Sequence, residues 1–99
     1  MILEVAQIQI KPGSEAAFED GVAQAAPLFQ RARGCHGMRL LRSIENPSSY
    51  TLEVRWETVE HHMVDFRGSE DFGKWRELVG EYFAAPPQVG HCSIAVHLF

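Results

Sequence analysis

Between Tyr50 and Glu57 the chain alternates strictly, with Tyr50, Leu52, Val54 and Trp56 in one phase and Thr51, Glu53, Arg55 and Glu57 in the other. Successive side chains of a strand point to opposite faces, so this period of two predicts a strand with one buried face. Residues 2–10, rich in β-branched side chains, predict a first strand, ended by Lys11-Pro12-Gly13. Ser14 is suited to cap the helix that follows, with Glu15 in its first turn. Phe18, Val22, Ala25 and Phe29 recur at helical spacing as the chain runs to Arg33, and Gly34 supplies a stop. Pro27 lies inside this helix. It has no N–H to donate and crowds the preceding turn, so a kink or break is expected there.

Residues 36–44 predict the second strand, closed by the turn signal Glu45-Asn46-Pro47-Ser48. After the strand at 50–57, Thr58 can cap a short helix over 59–66, with Val59, Met63 and Phe66 inward and His62 at the edge of that stripe. Arg67-Gly68 breaks it, and Ser69 can cap a further helix over 70–83. Phe72, Trp75, Val79, Tyr82 and Phe83 share one side of that helix, opposite Glu70, Lys74, Glu77 and Glu81. Ala84-Ala85-Pro86-Pro87 is a stiff loop, and 88–98 predicts the last strand. The order β-α-β-β-α-β predicts one α+β domain over 1–99. It is of the split-βαβ, ferredoxin-like kind, with helices over one face of a four-stranded antiparallel sheet.

The other face changes the picture. The first strand has apolar residues in both phases: Ile2, Ala6, Ile8 and Ile10 in one, Leu3 and Val5 in the other. The last strand is similarly two-sided. Strands apolar on both faces are usually covered on both, and a second copy of the same sheet is the simplest cover, so a homodimer is expected.

Composition narrows the function classes. The formal net charge is −4, and the nine Lys and Arg are scattered without a stripe, which argues against a nucleic-acid partner. No apolar run approaches the ~20 residues of a membrane span. The first ten residues read as a strand and not as a signal peptide, so the expected location is the cytoplasm. Cys35 and Cys92 match no zinc motif and are expected to be buried thiols.

The order and spacing of several short runs carry a resemblance that spans the chain. They are Trp56-Glu57-Thr58-Val59-Glu60-His61-His62, Phe66-Arg67-Gly68-Ser69, Phe72 with Trp75, Pro86-Pro87, and Val89-Gly90-His91, after Lys11-Pro12-Gly13 in the first turn. Together they resemble the antibiotic biosynthesis monooxygenase family. The resemblance implies a dimeric α+β barrel and a pocket between helices and sheet in each monomer. It also implies either cofactor-independent oxygenation of hydroxylated aromatics and quinols by dioxygen, or haem degradation. Haem-degrading relatives use an Asn, a Trp and a His at places where this chain has Ala6, Phe66 and Arg76, so haem is disfavoured and no cofactor is expected.

Among candidate residues, His62 is the expected catalytic base, because an imidazole beside an apolar pocket can take a proton from a phenol. It can equally fill the pocket edge and bond a backbone carbonyl. Phe66, Phe72, Trp75 and Val79 are expected to line the aromatic wall, a stripe that would also serve as plain core. Arg76 can meet a phenolate or carboxylate, or lie in solvent. His91 is expected at the pocket or an interface, and Arg67 to hold the helix break. His91 and His97 are about 20 Å apart along one strand, and His61 and His62 diverge, so no metal site is expected. Two functions follow: a cofactor-independent monooxygenase of a small hydroxylated aromatic, or a non-catalytic dimeric binding or scaffold module of the same fold.

Overall fold

The computed structural model describes residues Met1–Phe99. Its elements are β1 (Ile2–Gln9), α1 (Glu15–Gln30), β2 (Cys35–Arg42), β3 (Ser49–Trp56), a π-helical turn (His61–Phe66), α2 (Glu70–Val79), a 3-10 turn (Gly80–Tyr82) and β4 (Gln88–Cys92). The sheet order is β2-β3-β1-β4, and every pairing is antiparallel. This is the expected ferredoxin-like α+β arrangement, with β1 and β3 at its centre.

The alternation in β3 determines which face is covered. Tyr50, Leu52, Val54 and Trp56 are all buried, and they join Ala6 and Ile8 of β1 beneath the helices. Phe18, Val22, Ala25 and Phe29 of α1 pack onto this floor, as their spacing requires. Trp75 and Val79 of α2 complete the layer. Val79 is fully buried where α2 meets α1, and a Cβ on Gly21 would stand 2.8 Å from the Leu78 carbonyl oxygen and 3.3 Å from Val79. Only glycine allows the two helices so close.

Several boundaries differ from expectation for identifiable reasons. α1 runs through Pro27 without a break, and the Arg31 N–H still donates to the Pro27 carbonyl. The buried Leu28 and Phe29 anchor the turn beyond the proline. Ser14 caps through its backbone carbonyl, which accepts from the Phe18 N–H, and not through its side chain. Ser69 does cap α2 with its hydroxyl, accepting from the Phe72 N–H at 3.3 Å. α2 ends at Val79, with a 3-10 turn over the remainder of the expected helix.

β4 is much shorter than the expected 88–98. Cys92 pairs with Leu3, one residue from the start of β1, so a β4 extended to 98 would run past Met1 with no ladder partner within the chain. Ile94, Val96, Leu98 and Phe99 are consequently exposed, and so is Cys92, against the expectation of a buried thiol. Cys35 is half-buried. No helix is long and apolar enough to cross a membrane.

Candidate functional site

The π-helical turn shapes the site. Thr58 caps it, its hydroxyl accepting from the His61 N–H at 3.2 Å. The Arg67 N–H reaches back five residues to the His62 carbonyl at 3.1 Å, which is the wide-turn pattern often found at functional sites. The wider turn shifts the helical phase. His62 and Phe66 are both buried, whereas Met63, expected inward, is exposed. His61 turns away: its Nδ1 lies 2.7 Å from the Thr58 hydroxyl, and its ring rests against Gly34, leaving no room for a Cβ there. Gly34 also has φ +82°, so it is held as glycine twice over.

Between this turn, α2 and the sheet lies a cavity of about 590 Å³. Phe66, Phe72, Trp75 and Arg76 line it, and His62 stands in its wall. Val79 does not line it and belongs to the α1–α2 contact. The floor is Ala6, Ile8 and Leu52, and the loop Ala84-Ala85-Pro86-Pro87 borders it. The aromatic wall is locked edge-on: Phe29 against Trp75 at 5.1 Å and 87°, Phe66 against Phe72 at 5.9 Å and 84°. Arg67, expected only to hold the helix break, also lines the cavity, with its guanidinium over the Phe72 ring at 5.7 Å. Neither Arg67 nor Arg76 takes part in any of the chain's ion pairs.

The cavity wall also holds a polar cluster that sequence reasoning missed in part. Glu4, in the middle of β1, is only 5% exposed and lines the cavity. Its Oε1 accepts from the Trp56 indole N–H at 2.9 Å and lies 3.3 Å from His62 Nε2. On the other side of the ring, His62 Nδ1 is 2.8 Å from His91 Nε2. The Trp56 ring stacks on His62 at 5.4 Å. Sheet register assembles this group, because His91 of β4 is the direct cross-strand partner of Glu4. His91 therefore stands behind His62 and not in the cavity lining.

Glu4 was detectable. It shares the inward phase of β1 with Ile2, Ala6 and Ile8, and a carboxyl in an otherwise apolar phase signals a buried polar role. Its contact with His62 and His91 depends on strand pairing, which no local pattern shows.

Burial dominates the electrostatics. It pushes the Glu4 carboxyl above its ordinary value, against the lowering effects of the Trp56 hydrogen bond and the Arg67 charge. It pushes His62 down to about 4, assisted by the neighbouring charges of His91 and Arg67. A full ion pair between Glu4 and His62 would move both the opposite way. Their separation of 3.3 Å is long for one, and Oε1 is already held by Trp56, so burial prevails: the carboxyl is held above its ordinary value and the imidazole below its own. No three or more His, Cys, Asp or Glu side chains converge as a metal-ligand set. His91 and Glu4 approach different nitrogens of His62 and face no common point.

Comparison with known proteins agrees with the fold. The family model described as antibiotic biosynthesis monooxygenase matches residues 1–78. The uncharacterised protein YczJ of Bacillus subtilis is 37% identical over 91 residues, 92% of this chain and 96% of YczJ. A Bordetella bronchiseptica protein whose crystal structure carries the same family description is 64% identical, with TM-score 0.95 over 96% of this chain and 97% of that one. SnoaB of Streptomyces nogalater, a cofactor-independent oxygenase, shares the fold at TM-score 0.84 and 20% identity, over 98% of this chain and 95% of SnoaB.

Proposed function

Since the chain belongs to the antibiotic biosynthesis monooxygenase family, we propose that it oxidises a small hydroxylated aromatic or quinol with dioxygen, without a cofactor. The observation that carries this reading is a 590 Å³ aromatic cavity with two buried titratable groups, Glu4 and His62, in its wall. A flat aromatic suits the walls of Phe66, Phe72 and Trp75. The unpaired Arg67 and Arg76 favour an acidic or phenolate substituent nearby. With its hydroxyl toward Glu4 and His62, the substrate loses a proton to this cluster. The electron-rich anion then reduces dioxygen itself. For an anthrone, a ring CH₂ becomes C=O and the second oxygen atom leaves as water, so the substrate supplies all the electrons. The protein contributes the proton acceptor, orientation and exclusion of bulk water.

The acting unit is a homodimer in this reading. The exposed Ile94, Val96, Leu98 and Phe99, next to a sheet with apolar residues on its uncovered side, support a second copy as the cover.

Oxygen uptake with a panel of quinols and anthrones tests the activity. We expect saturable uptake without added metal or flavin, and a His62→Ala variant slower by about 10²-fold or more. No uptake across the panel would overturn the enzymatic reading and leave a binding module of the same fold.

A further inference from the structure

We infer that Glu4 is the proton acceptor of the cavity, and that His62 and His91 form the path by which the proton leaves; this rests on the hydroxylated-aromatic reading above. A carboxyl on the covered face of a central strand is costly to bury and adds nothing to an apolar core. Its neighbours are arranged to use it. Trp56 fixes Oε1 by its N–H, while Oε2 has no partner in the protein, and no buried side-chain oxygen lacks one. Oε2 therefore meets open space, and the space beside Glu4 is the cavity it lines.

The two candidate bases differ in proton affinity. An imidazole lowered to about 4 is a weak acceptor, whereas burial has raised the carboxyl. His62 is instead built to carry. A neutral imidazole accepts at one nitrogen and donates at the other. Nε2 is turned to Glu4 at 3.3 Å, and Nδ1 to His91 Nε2 at 2.8 Å. Beyond them, His91 is half-buried and its Nδ1 has no partner in the protein, so that nitrogen is the exit to water.

The proton balance closes. The phenolic O–H bond breaks and an O–H bond forms on the Glu4 carboxyl. The carboxyl then turns about its last C–C bond, so that the protonated oxygen faces His62 Nε2 and the bare oxygen takes the Trp56 N–H. The O–H bond breaks as an N–H bond forms on Nε2, the Nδ1 proton moves to His91 Nε2, and His91 releases its Nδ1 proton to water. Glu4 returns to carboxylate, His62 and His91 are left neutral in their other tautomers, and exchange of their ring protons with water restores the starting ones before the next turnover. The groups facing the relay are Trp56 from β3, His91 from β4, Arg67 after the π-helical turn, and Arg76 of α2 across the cavity. The Arg67 charge favours ionised Glu4 and disfavours an imidazolium at His62, as the relay requires.

The probe is 4-nitrophenol, whose anion absorbs in the visible. At a pH where the free probe is mostly neutral, the unaltered protein should show the bound nitrophenolate band. Glu4→Gln, which keeps an oxygen for Trp56, should abolish the band, and His62→Gln and His91→Gln should retain it. A band that persists in Glu4→Gln, or disappears in His62→Gln with Glu4 intact, overturns the assignment. Failure of the probe to bind the unaltered protein overturns both this inference and the functional reading.

His91 acts through His62 as a positioning and exit residue, so its test separates kcat from KM. His91→Gln should lower kcat for oxygen uptake by about tenfold or more with KM unchanged, and free imidazole should restore it. Unchanged turnover in His91→Gln overturns the exit path. If the unaltered protein consumes no oxygen, the exit path falls with the functional reading, and the nitrophenolate band still decides the role of Glu4.

Discussion

Trp56→Phe is expected to lower the free energy of unfolding by about 3 kcal/mol while leaving the sheet assembled. Trp56 is fully buried at the end of β3, packed against Phe66 at 5.5 Å and stacked on His62. Phenylalanine would keep part of the ring contact and lose the second ring, which costs transfer free energy and leaves a small void. It would also remove the N–H that holds Glu4 Oε1 at 2.9 Å, leaving a buried acceptor without its donor. The indole bond is one of the influences holding the Glu4 pKa down, so its loss should move the carboxyl still higher. Urea unfolding at neutral pH measures the first effect. A loss below about 0.5 kcal/mol, the range of an ordinary surface substitution, would show that the buried second ring and the indole N–H contribute little.

Acid should destabilise the protein through His62, by up to about 3 kcal/mol. The folded protein holds this imidazole at about 4, against 6.5 in the unfolded chain. As pH falls, the unfolded chain therefore takes up the proton first. The contribution of His62 is complete above pH 6.5 and is lost progressively towards pH 4. Glu4 has the opposite sign. The fold favours its protonated form more than the unfolded chain does, so its contribution is complete below its unfolded value of 4.5 and is lost as pH rises through the higher folded value. The difference between unaltered protein and His62→Gln isolates the first effect. That difference should vary with pH between 4 and 6.5 and flatten above, as read from denaturant midpoints. A difference independent of pH across that window would mean that His62 is solvated and not held neutral.

The sequence pattern predicted some of these features and missed others for physical reasons. The strict alternation over Tyr50–Trp56 identified a buried face, because period two maps directly onto a sheet with one covered side. The aromatic spacing of Phe72 and Trp75 placed both on the cavity wall. The helical phase expected over 59–66 assumed α-helical turns, and the π-helical turn exchanged Met63 for His62 as the buried position. The end of β4 was invisible to local pattern, since it depends on where β1 runs out as a ladder partner. The same holds for the polar cluster. His62 and His91 are 29 positions apart, and only the pairing of Glu4 with His91 brings the three groups together.

Ala6 lies on the cavity floor, two residues along β1 from Glu4 and on the same face, and is 3% exposed. Ala6→Phe would fill the space a flat substrate needs while leaving Glu4, His62 and His91 in place. The most direct measurement is oxygen uptake with the quinol and anthrone panel, by the unaltered protein and by Ala6→Phe, alongside circular dichroism to confirm that both are folded. We predict saturable uptake by the unaltered protein and loss of it in the folded variant. Equal uptake by the two, or none by the unaltered protein, would contradict a reaction inside this cavity.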